Sequence, residues 1–261
     1  MSHLRVTRDE FARQAESFAG APLLSGADLT DQVAEAAVGA RDWRVLDLAC
    51  GPGLLLPSLA ARAQRVVGVD FTPEVLTLAR RRIREDSLQI SLVRGVAETL
   101  PFHAASFDAV VLRLALHHFE KPSVVLREVK RLLRPRGRLV VVDILTSGDH
   151  EVAGLYNAIE RLRDRSHVQL VPEGELIAAI ETEGFRLSRR MTWNAPRGFV
   201  EWAKIISDEP RMRSLEAILR HLARAGVTAG IDLREEGGEL LLTYTFALLV
   251  AELDRSDNLP V

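Results

Sequence analysis

The stretch that decides the fold is residues 44–56, which read RVLDLACGPGLLL. Arg44–Leu48 is a short apolar run that predicts a buried strand, and Leu54–Ala63 predicts the helix behind it. Gly51 and Gly53 lie in the turn between them, where they permit positive φ angles and leave backbone N–H groups open to a ligand. The positive end of the helix points at the same ligand. A plain strand-to-helix turn is the alternative interpretation.

Two acidic residues accompany this loop. The carboxylate of Asp47 can accept hydrogen bonds from an ammonium or hydroxyl group. The loop lacks the third glycine of a pyrophosphate-binding loop, which argues against a dinucleotide cofactor. Asp70 ends the next predicted strand, Arg65–Val69, at the spacing of a carboxylate that binds two ribose hydroxyls, and Phe71 beside it can cover a purine ring. The alternative for Asp70 is a cap for the following helix, although Thr72 could serve there instead.

Short apolar runs alternate with helical segments as far as residue 144. Continuously apolar strands suit a parallel sheet that is covered on both faces, and the alternation implies right-handed βαβ units. We therefore predict an α/β fold with a Rossmann-like, mostly parallel sheet and helices on both faces. The remaining predicted elements of this region are strands Ile90–Arg94, Ala109–Leu112 and Arg138–Ile144, helices Pro73–Glu85 and Pro122–Leu133, and a turn at Pro135–Gly137.

Additional helices flank this region. Residues 1–40 predict an N-terminal helical lid of two helices, the first capped at Thr7, and residues 41–261 form the main domain. Residues 150–184 and 196–228 are predicted as helical insertions that form a substrate cap. The predicted elements are the helix Thr30–Val38, a break at Val171–Pro172, strand Arg186–Trp193, helices Gly198–Ser207 and Pro210–Ala225, a hairpin turn at Glu236–Gly238 and strand Leu240–Leu253.

Composition excludes several classes of protein. The 261 residues carry 34 Lys and Arg against 36 Asp and Glu, so no net field favours nucleic acid or an anionic membrane. The one cysteine, Cys50, excludes an internal disulfide framework. No signal peptide and no apolar stretch of membrane-spanning length is found, so we expect a cytoplasmic protein.

Five motifs in order make the chain similar to a known family. Asp47–Gly53 matches the family loop D-x-G/A-C-G-x-G, and Gly95–Phe102 resembles G-D-A-E-x-L-P-F. Ser106–Val111, Arg113–Phe119 and Leu126–Arg138 match the segments that follow. The chain resembles the class I S-adenosylmethionine-dependent methyltransferases, in the ubiquinone/menaquinone-biosynthesis-like (type 11) branch, strongly over residues 41–146.

The resemblance implies S-adenosylmethionine as cofactor and a seven-stranded sheet whose last strand is antiparallel to the rest. One position departs from the family pattern: Val96 stands where the family usually has a residue that binds the adenine amino group. Glu98, a backbone carbonyl or water would take over that role. The cofactor-binding residues implied are Asp47, Ala49, Cys50, Gly51, Gly53, Asp70, Phe71, Val96, Ala97, Glu98 and Arg113, with Gln14 and Phe18 from the lid.

Methyl transfer from a sulfonium requires an aligned nucleophile and, for some acceptors, a base with a pKa near neutrality. His117 and His118 follow the fourth strand at the carboxyl edge of the sheet, where ligands of α/β proteins bind. His167 lies in the insertion after the fifth strand. These three are the candidate catalytic residues, with Tyr156 and Arg113 as lesser ones. The alternative is that the histidines are structural.

The flanking helices have two interpretations each. The first helix carries Phe11, Gln14 and Phe18, and resemblance suggests that it closes over the cofactor; a helix that simply packs on the domain is the alternative. The helices between Phe199 and Ala225 could line an apolar substrate cavity or form a homodimer interface.

We therefore expect an O-, C- or N-methyltransferase that acts on a small metabolite. A metal site is not predicted, because neither a cysteine pair nor a His/Asp/Glu ligand spacing is present. Alternatives are a protein of this fold that uses the bound sulfonium for a cyclisation or rearrangement, and a non-catalytic cofactor-binding protein. A nicotinamide-dependent reductase is disfavoured, because it needs the missing third glycine and a Tyr-x-x-x-Lys pair.

Overall fold

The structure is a computed structural model that describes residues 2–20, 27–83, 89–206 and 208–253. Parts of two predicted elements, Glu85 and Ser207, lie outside these ranges. In chain order the elements are helices α1 (His3–Ala19) and α2 (Ala27–Ala37), strand β1 (Arg44–Leu48), helix α3 (Leu56–Ala60), strand β2 (Arg65–Asp70), helix α4 (Pro73–Arg82), strands β3 (Ile90–Arg94) and β4 (Phe107–Arg113), a 3₁₀ turn (Leu116–His118), helix α5 (Pro122–Leu132), strand β5 (Leu133–Leu145), helices α6 (His150–Arg163) and α7 (Glu173–Thr182), strand β6 (Phe185–Gly198), helices α8 (Phe199–Lys204) and α9 (Glu209–Arg224), and strands β7 (Arg234–Glu236) and β8 (Glu239–Leu253).

All the strands of the described residues form one sheet in the order β3-β2-β1-β4-β5-β8-β6. Strands β1 to β5 are parallel, and β8 inserts between β5 and β6, antiparallel to both. The predicted α/β fold with an antiparallel last strand is confirmed. The predicted strand number is wrong: the sheet has eight strands, because the short β7 pairs with β8 through the two-residue turn Gly237–Gly238. Both glycines adopt the positive φ angles that such a hairpin turn demands.

Helices cover both faces of the sheet. On one face, α5 and α7 pack on the apolar side chains of β4 and β5 in a common cluster. On the other face, α2 and α3 pack on the alternate side chains of β1, β4 and β5. Burial on both faces is the reason that these strands are apolar throughout rather than alternating. Helix α2 thus belongs to a layer on the sheet, and the division into a lid of residues 1–40 and a main domain stays a prediction.

A third apolar cluster lies beyond the carboxyl ends of the parallel strands. Leu145, the last residue of β5, pairs with Thr245, so the first part of β8 extends past the end of β5. Helices α6, α8 and α9 pack around this projecting part, with Trp202 and Tyr156 fully buried among them. The third cluster therefore lies above the sheet edge at which the loops of the predicted site meet.

Element boundaries differ from the predicted ones where local bonds extend a helix or strand. The predicted cap at Thr7 is wrong, because α1 begins at His3 and the Thr7 hydroxyl donates to His3 O (3.0 Å) within the helix. Strand β5 begins before the predicted turn Pro135–Gly137, which forms an irregularity in its pairing with β4. Strand β6 continues past Trp193 to Gly198, because it follows β8 beyond the parallel strands.

Candidate functional site

The loop after β1 is a tight turn that exposes its backbone. Ala49, Gly51 and Gly53 all have positive φ, at 59°, 52° and 74°. The N–H of Cys50 donates to Val69 O (2.9 Å), and the N–H of Gly53 donates to Cys50 O (3.0 Å). A Cβ on Gly51 would meet nothing within 4 Å, whereas one on Gly53 would lie 3.0 Å from a Leu56 methyl. Gly51 therefore faces open space, and Gly53 serves the packing of the loop against the following helix.

Asp70 fixes this loop from the neighbouring strand. Its Oδ2 accepts the N–H of Gly51 (3.0 Å), and its Oδ1 accepts the N–H of Thr72 at the start of α4 (2.8 Å). Burial raises the pKa of the Asp70 carboxyl, although these backbone donors oppose the shift. Asp70 thus contacts both the glycine loop and the turn into α4, where Thr72 is the N-cap residue and its side chain makes no capping hydrogen bond.

Asp47 lies beneath the loop with one oxygen unused. The residue is 2% exposed, and its Oδ2 has no hydrogen-bond partner among the described residues. Burial raises the pKa of the Asp47 carboxyl to about 7; the charge of Arg113 lowers it, and that of Asp70 adds to the rise. A buried carboxyl with a spare oxygen is prepared for a cationic or hydrogen-donating ligand.

A cavity joins these groups at the carboxyl edge of the sheet. It is lined by residues 47–52, 54–55, 69–71, 75, 95–98, 113–115 and 118–120, and it is covered by one side of α1 through His3, Leu4, Thr7, Phe11, Ala15 and Phe18. The structure brings twelve of the sixteen predicted site residues to this cavity, and four do not line it: Gly53, Gln14, His117 and His167. Gln14 is buried beside it, and its side-chain nitrogen has no partner among the described residues.

The three candidate histidines form one cluster. The rings of His117 and His118 have centroids 4.1 Å apart, and those of His117 and His167 are 5.7 Å apart. His117 Nδ1 lies 2.5 Å from Asp143 Oδ1. Burial lowers the pKa of His117, but the Asp143 carboxylate opposes this strongly enough that the pKa is raised overall. His117 is therefore paired with Asp143 behind the cavity, and the pairing favours its protonated form.

His118 is the member of the cluster that lines the cavity. Its Nδ1 is 3.0 Å from Ser166 O, and since a carbonyl only accepts, Nδ1 carries the proton and Nε2 the lone pair in the neutral ring. Burial, together with the charge of His117, lowers the pKa of His118 to about 4. The ring is thus neutral over the physiological range, with Nε2 as its hydrogen-bond acceptor.

His167 occupies a structural position. Its Nε2 lies 2.8 Å from Asn157 Oδ1, and the same oxygen accepts the N–H of Leu170. Burial lowers the pKa of His167 to about 2, and the charges of His117 and His118 add to the shift. Buried and bonded in this way, His167 supports the segment that holds His118.

His3 and Leu114 are among the lining residues that sequence reasoning missed, whereas Phe11 was predicted on the lid helix. His3 Nε2 donates to His118 O (2.9 Å), and Phe11 packs edge-on against the His118 ring at 4.9 Å between centroids. His3 could have been identified from the sequence as a lining residue, because it lies one turn before Thr7 and shares the helix face of Phe11. Leu114 adopts φ 54°, a strained conformation that clusters at functional sites and that no sequence pattern reveals.

Val96 occupies the position that the resemblance assigns to the adenine contact. Val96 lines the cavity and is 36% exposed, an unusual position for a large apolar side chain. Its carbonyl accepts the N–H of Thr99, which closes a tight turn around Ala97 and Glu98. Both of these residues also line the cavity.

The described residues contain no metal-ligand cluster and no helix suited to span a membrane. No group of three or more His, Cys, Asp or Glu side chains in that part of the chain is arranged to hold a metal ion. None of the helices described has both the length and the apolar character needed to cross a membrane.

The chain is similar in sequence to known methyltransferases. The methyltransferase domain family matches residues 46–141. The uncharacterized methyltransferase YcgJ of Bacillus subtilis (strain 168) is 31% identical over 196 residues, which cover 74% of this chain and 77% of that protein. The demethylmenaquinone methyltransferase of Thermus thermophilus is 40% identical over 102 residues, 38% of this chain and 46% of that protein.

Solved structures share the fold over most of the chain. The structure of YcgJ matches with a TM-score of 0.77 at 26% identity, over 86% of this chain and 97% of that one. BH2331 from Bacillus halodurans C-125 matches with a TM-score of 0.79 at 24% identity, over 87% of this chain and 99% of that one. The chain therefore belongs to the class I S-adenosylmethionine-dependent methyltransferases, and S-adenosylmethionine is its cofactor.

Proposed function

We propose that this protein methylates a small-molecule metabolite at O, C or N, by in-line transfer within the cavity under α1. The observation that carries the proposal is the spare Oδ2 of Asp47, buried at the cavity wall beside the open space over Gly51. An unpaired buried carboxyl oxygen is costly, and the ammonium group of the cofactor is a suitable partner for it. The residues of the cavity therefore fit the cofactor.

The remaining cofactor contacts follow from the same geometry. Asp70 would hold the ribose hydroxyls, and Phe71 and Val96 would cover the adenine ring. The predicted roles of Ala49, Cys50 and Gly51 are supported by their place on the cavity wall, where the loop presents its backbone. Burial raises the pKa of the Cys50 thiol, which favours a packing role over a reactive one. Gly53 would act by shaping the loop, and Gln14 lies outside the lining.

The bound cofactor supplies the electrophilic methyl group, so the protein has to align the acceptor and exclude water. Phe11, Phe18, Leu54 and Leu114 give the cavity an apolar wall that suits a partly apolar acceptor. His118 is a polar group beside this wall. Its Nε2 lone pair can accept a hydrogen bond from the acceptor's hydroxyl or amino group. His117 and His167 would act by holding His118 in place.

Label transfer tests the reaction. The protein is incubated with methyl-labelled S-adenosylmethionine and a panel of phenols, enols and amines, and the expected result is label in the acceptor together with S-adenosylhomocysteine. Acceptor turnover without label transfer would replace methylation by a cyclisation or rearrangement. Cofactor binding with no turnover of any panel member, together with a stable protein partner in pulldown, would indicate a non-catalytic binding protein.

A further inference from the structure

The polar residues on α1 that do not line the cavity form a second set of contacts. Glu10 lies on the side of α1 that meets the cap helices and is only 1% exposed. Its two oxygens each meet a guanidinium: Arg13 Nη2 at 2.6 Å, from the next turn of α1, and Arg211 Nη1 at 2.8 Å, from α9. A carboxylate this deeply buried remains charged only when it is paired in this way.

Arg211 joins three elements at this point. The same Nη1 that meets Glu10 also donates to Arg163 O at the end of α6 (3.0 Å), and Nη2 lies 2.7 Å from Asp208 Oδ2 at the start of α9. Three residues after Arg163, the carbonyl of Ser166 accepts the hydrogen bond from His118. The guanidinium therefore links the helix that covers the cavity to the segment that orients the cavity's histidine.

We propose that Glu10 and Arg211 are positioning residues that hold α1 closed over the cavity, so that their ion pair breaks whenever the cofactor exchanges. The proposal rests on the proposed function, because it takes the ligand under α1 to be the cofactor. One side of α1 covers the cavity, so movement of α1 away from the sheet edge would open a path for a ligand that fills the cavity.

The physical chemistry of the pair suits a reversible closure. A buried Glu10 without Arg211 would keep Arg13 as its partner and leave its other oxygen unpaired, so a closed helix with a broken pair is disfavoured. When α1 opens, both charges return to water, and their hydration offsets the lost attraction. The pair thus favours two states, closed with the pair formed and open with both charges hydrated.

The test compares Glu10→Gln and Arg211→Met with a control on the same helix. Asp9→Asn removes an exposed carboxylate that pairs with Arg8 at 2.8 Å and does not touch the cap. Release of S-adenosylhomocysteine is measured by stopped flow, and amide hydrogen exchange of residues 4–15 is measured in the ligand-free protein. Glu10→Gln and Arg211→Met are both expected to release the ligand about tenfold faster or more and to lose protection of the α1 amides from hydrogen exchange. Asp9→Asn is expected to match the wild type within twofold.

A further variant and the ligand-free exchange measurement cover the cases in which the main comparison fails. Asp208→Asn leaves Glu10 with both arginines and is expected to give a smaller acceleration, which can be measured if the Glu10 variant does not fold. The proposal would be overturned if Glu10→Gln and Arg211→Met matched Asp9→Asn in both release rate and amide exchange. Amide exchange in α1 needs no ligand, so a wild type that binds no S-adenosylhomocysteine would refute the proposed function while leaving this test readable.

Discussion

At Asp47, burial and charge oppose each other. The carboxyl is nearly inaccessible, and burial raises its pKa to about 7, against the opposing charge of Arg113. In the folded, ligand-free protein it therefore binds a proton at a pH where the unfolded chain has lost it. This costs stability as the pH rises from about 4 to about 7, and a bound ammonium group would remove that cost.

The first prediction concerns the pH dependence of cofactor binding. The affinity for S-adenosylhomocysteine should rise roughly tenfold or more between about pH 5.5 and about pH 7.5, because the ionised Asp47 binds the ammonium and the ligand's amino group stays protonated over this range. Asp47→Asn should bind more weakly and lose most of the slope. Calorimetric titrations at four pH values provide the measurement, and an equal slope in the wild type and the variant would contradict it.

The second prediction concerns His117 and Asp143. The folded-state pKa of His117 is raised, so the pair stabilises the protein fully below the ordinary histidine pKa of about 6.5 and loses that effect as the pH rises through the folded-state value. Asp143→Asn should therefore lower the melting temperature more at about pH 6 than at about pH 9. The loss at the lower pH should be about 1.5–3 kcal/mol, as for a hydrogen bond to a charged group.

Thermal unfolding of wild type and Asp143→Asn at both pH values provides that measurement, with His117→Gln as the matched variant that lacks the titrating ring. If Asp143→Asn is equally destabilising at both pH values, the pair does not hold a charged histidine.

Residue-scale reasoning from the sequence predicted a cofactor loop whose residues Asp47, Gly51 and Asp70 all line the cavity. Asp47, Gly51 and Asp70 were recognisable, because their spacing between apolar strands has a chemical meaning. His167 looked equivalent to His118, but its bond to Asn157 depends on a contact between two helical segments that no local pattern contains.

At the scale of elements, the two glycines Gly51 and Gly53 have different roles in the loop between β1 and α3. Both have positive φ, so an alanine at either position carries the left-handed strain of about 1–2 kcal/mol. At Gly53 the added methyl would also crowd Leu56 and Ala79, at 3.0 and 3.1 Å. At Gly51 it would project into the cavity instead.

The third prediction distinguishes the packing role of Gly53 from the cavity-facing role of Gly51. Gly53→Ala should lower the melting temperature more than Gly51→Ala, because it adds overlap to strain. Gly51→Ala should lose more affinity for S-adenosylhomocysteine than its modest destabilisation would suggest, because its methyl meets the ligand. Differential scanning fluorimetry and calorimetry on both variants provide the comparison. Full affinity in Gly51→Ala would show that no ligand approaches this backbone.

Most elements were predictable because their apolar periods are clear. β1 and β2 were found within one residue of their ends, since parallel strands buried on both faces are short and continuously apolar. β7 was missed, because Arg234–Glu236 is polar and becomes a strand only through pairing with β8. The extension of β6 was missed for the same reason. In both cases the strand forms because distant segments pair, and not because of the local β-propensity of its residues.

At the scale of the whole molecule, the sheet edge and α1 enclose a cavity, and helices α6, α8 and α9 belong to the apolar cluster that includes or packs against Leu54, Phe18 and Leu114 of its wall. The parallel strands bring Asp47, Asp70 and Arg113 to a common edge, as the alternation of strands and helices predicted. The third apolar cluster and the Glu10–Arg211 pair place α1 and the cap above that edge, and neither was readable from composition. The sequence could predict the family and the cofactor, whereas the acceptor depends on how distant helices meet.

The central claim is that the glycine loop and Asp70 hold S-adenosylmethionine, and calorimetric titration of S-adenosylhomocysteine into wild type and Asp70→Ala tests it most directly. We expect saturable one-to-one binding by the wild type. Loss of the hydrogen bonds to a charged carboxylate should weaken binding by roughly tenfold to a hundredfold in the variant. An absence of binding by the wild type, or equal affinity in the two proteins, would contradict the account.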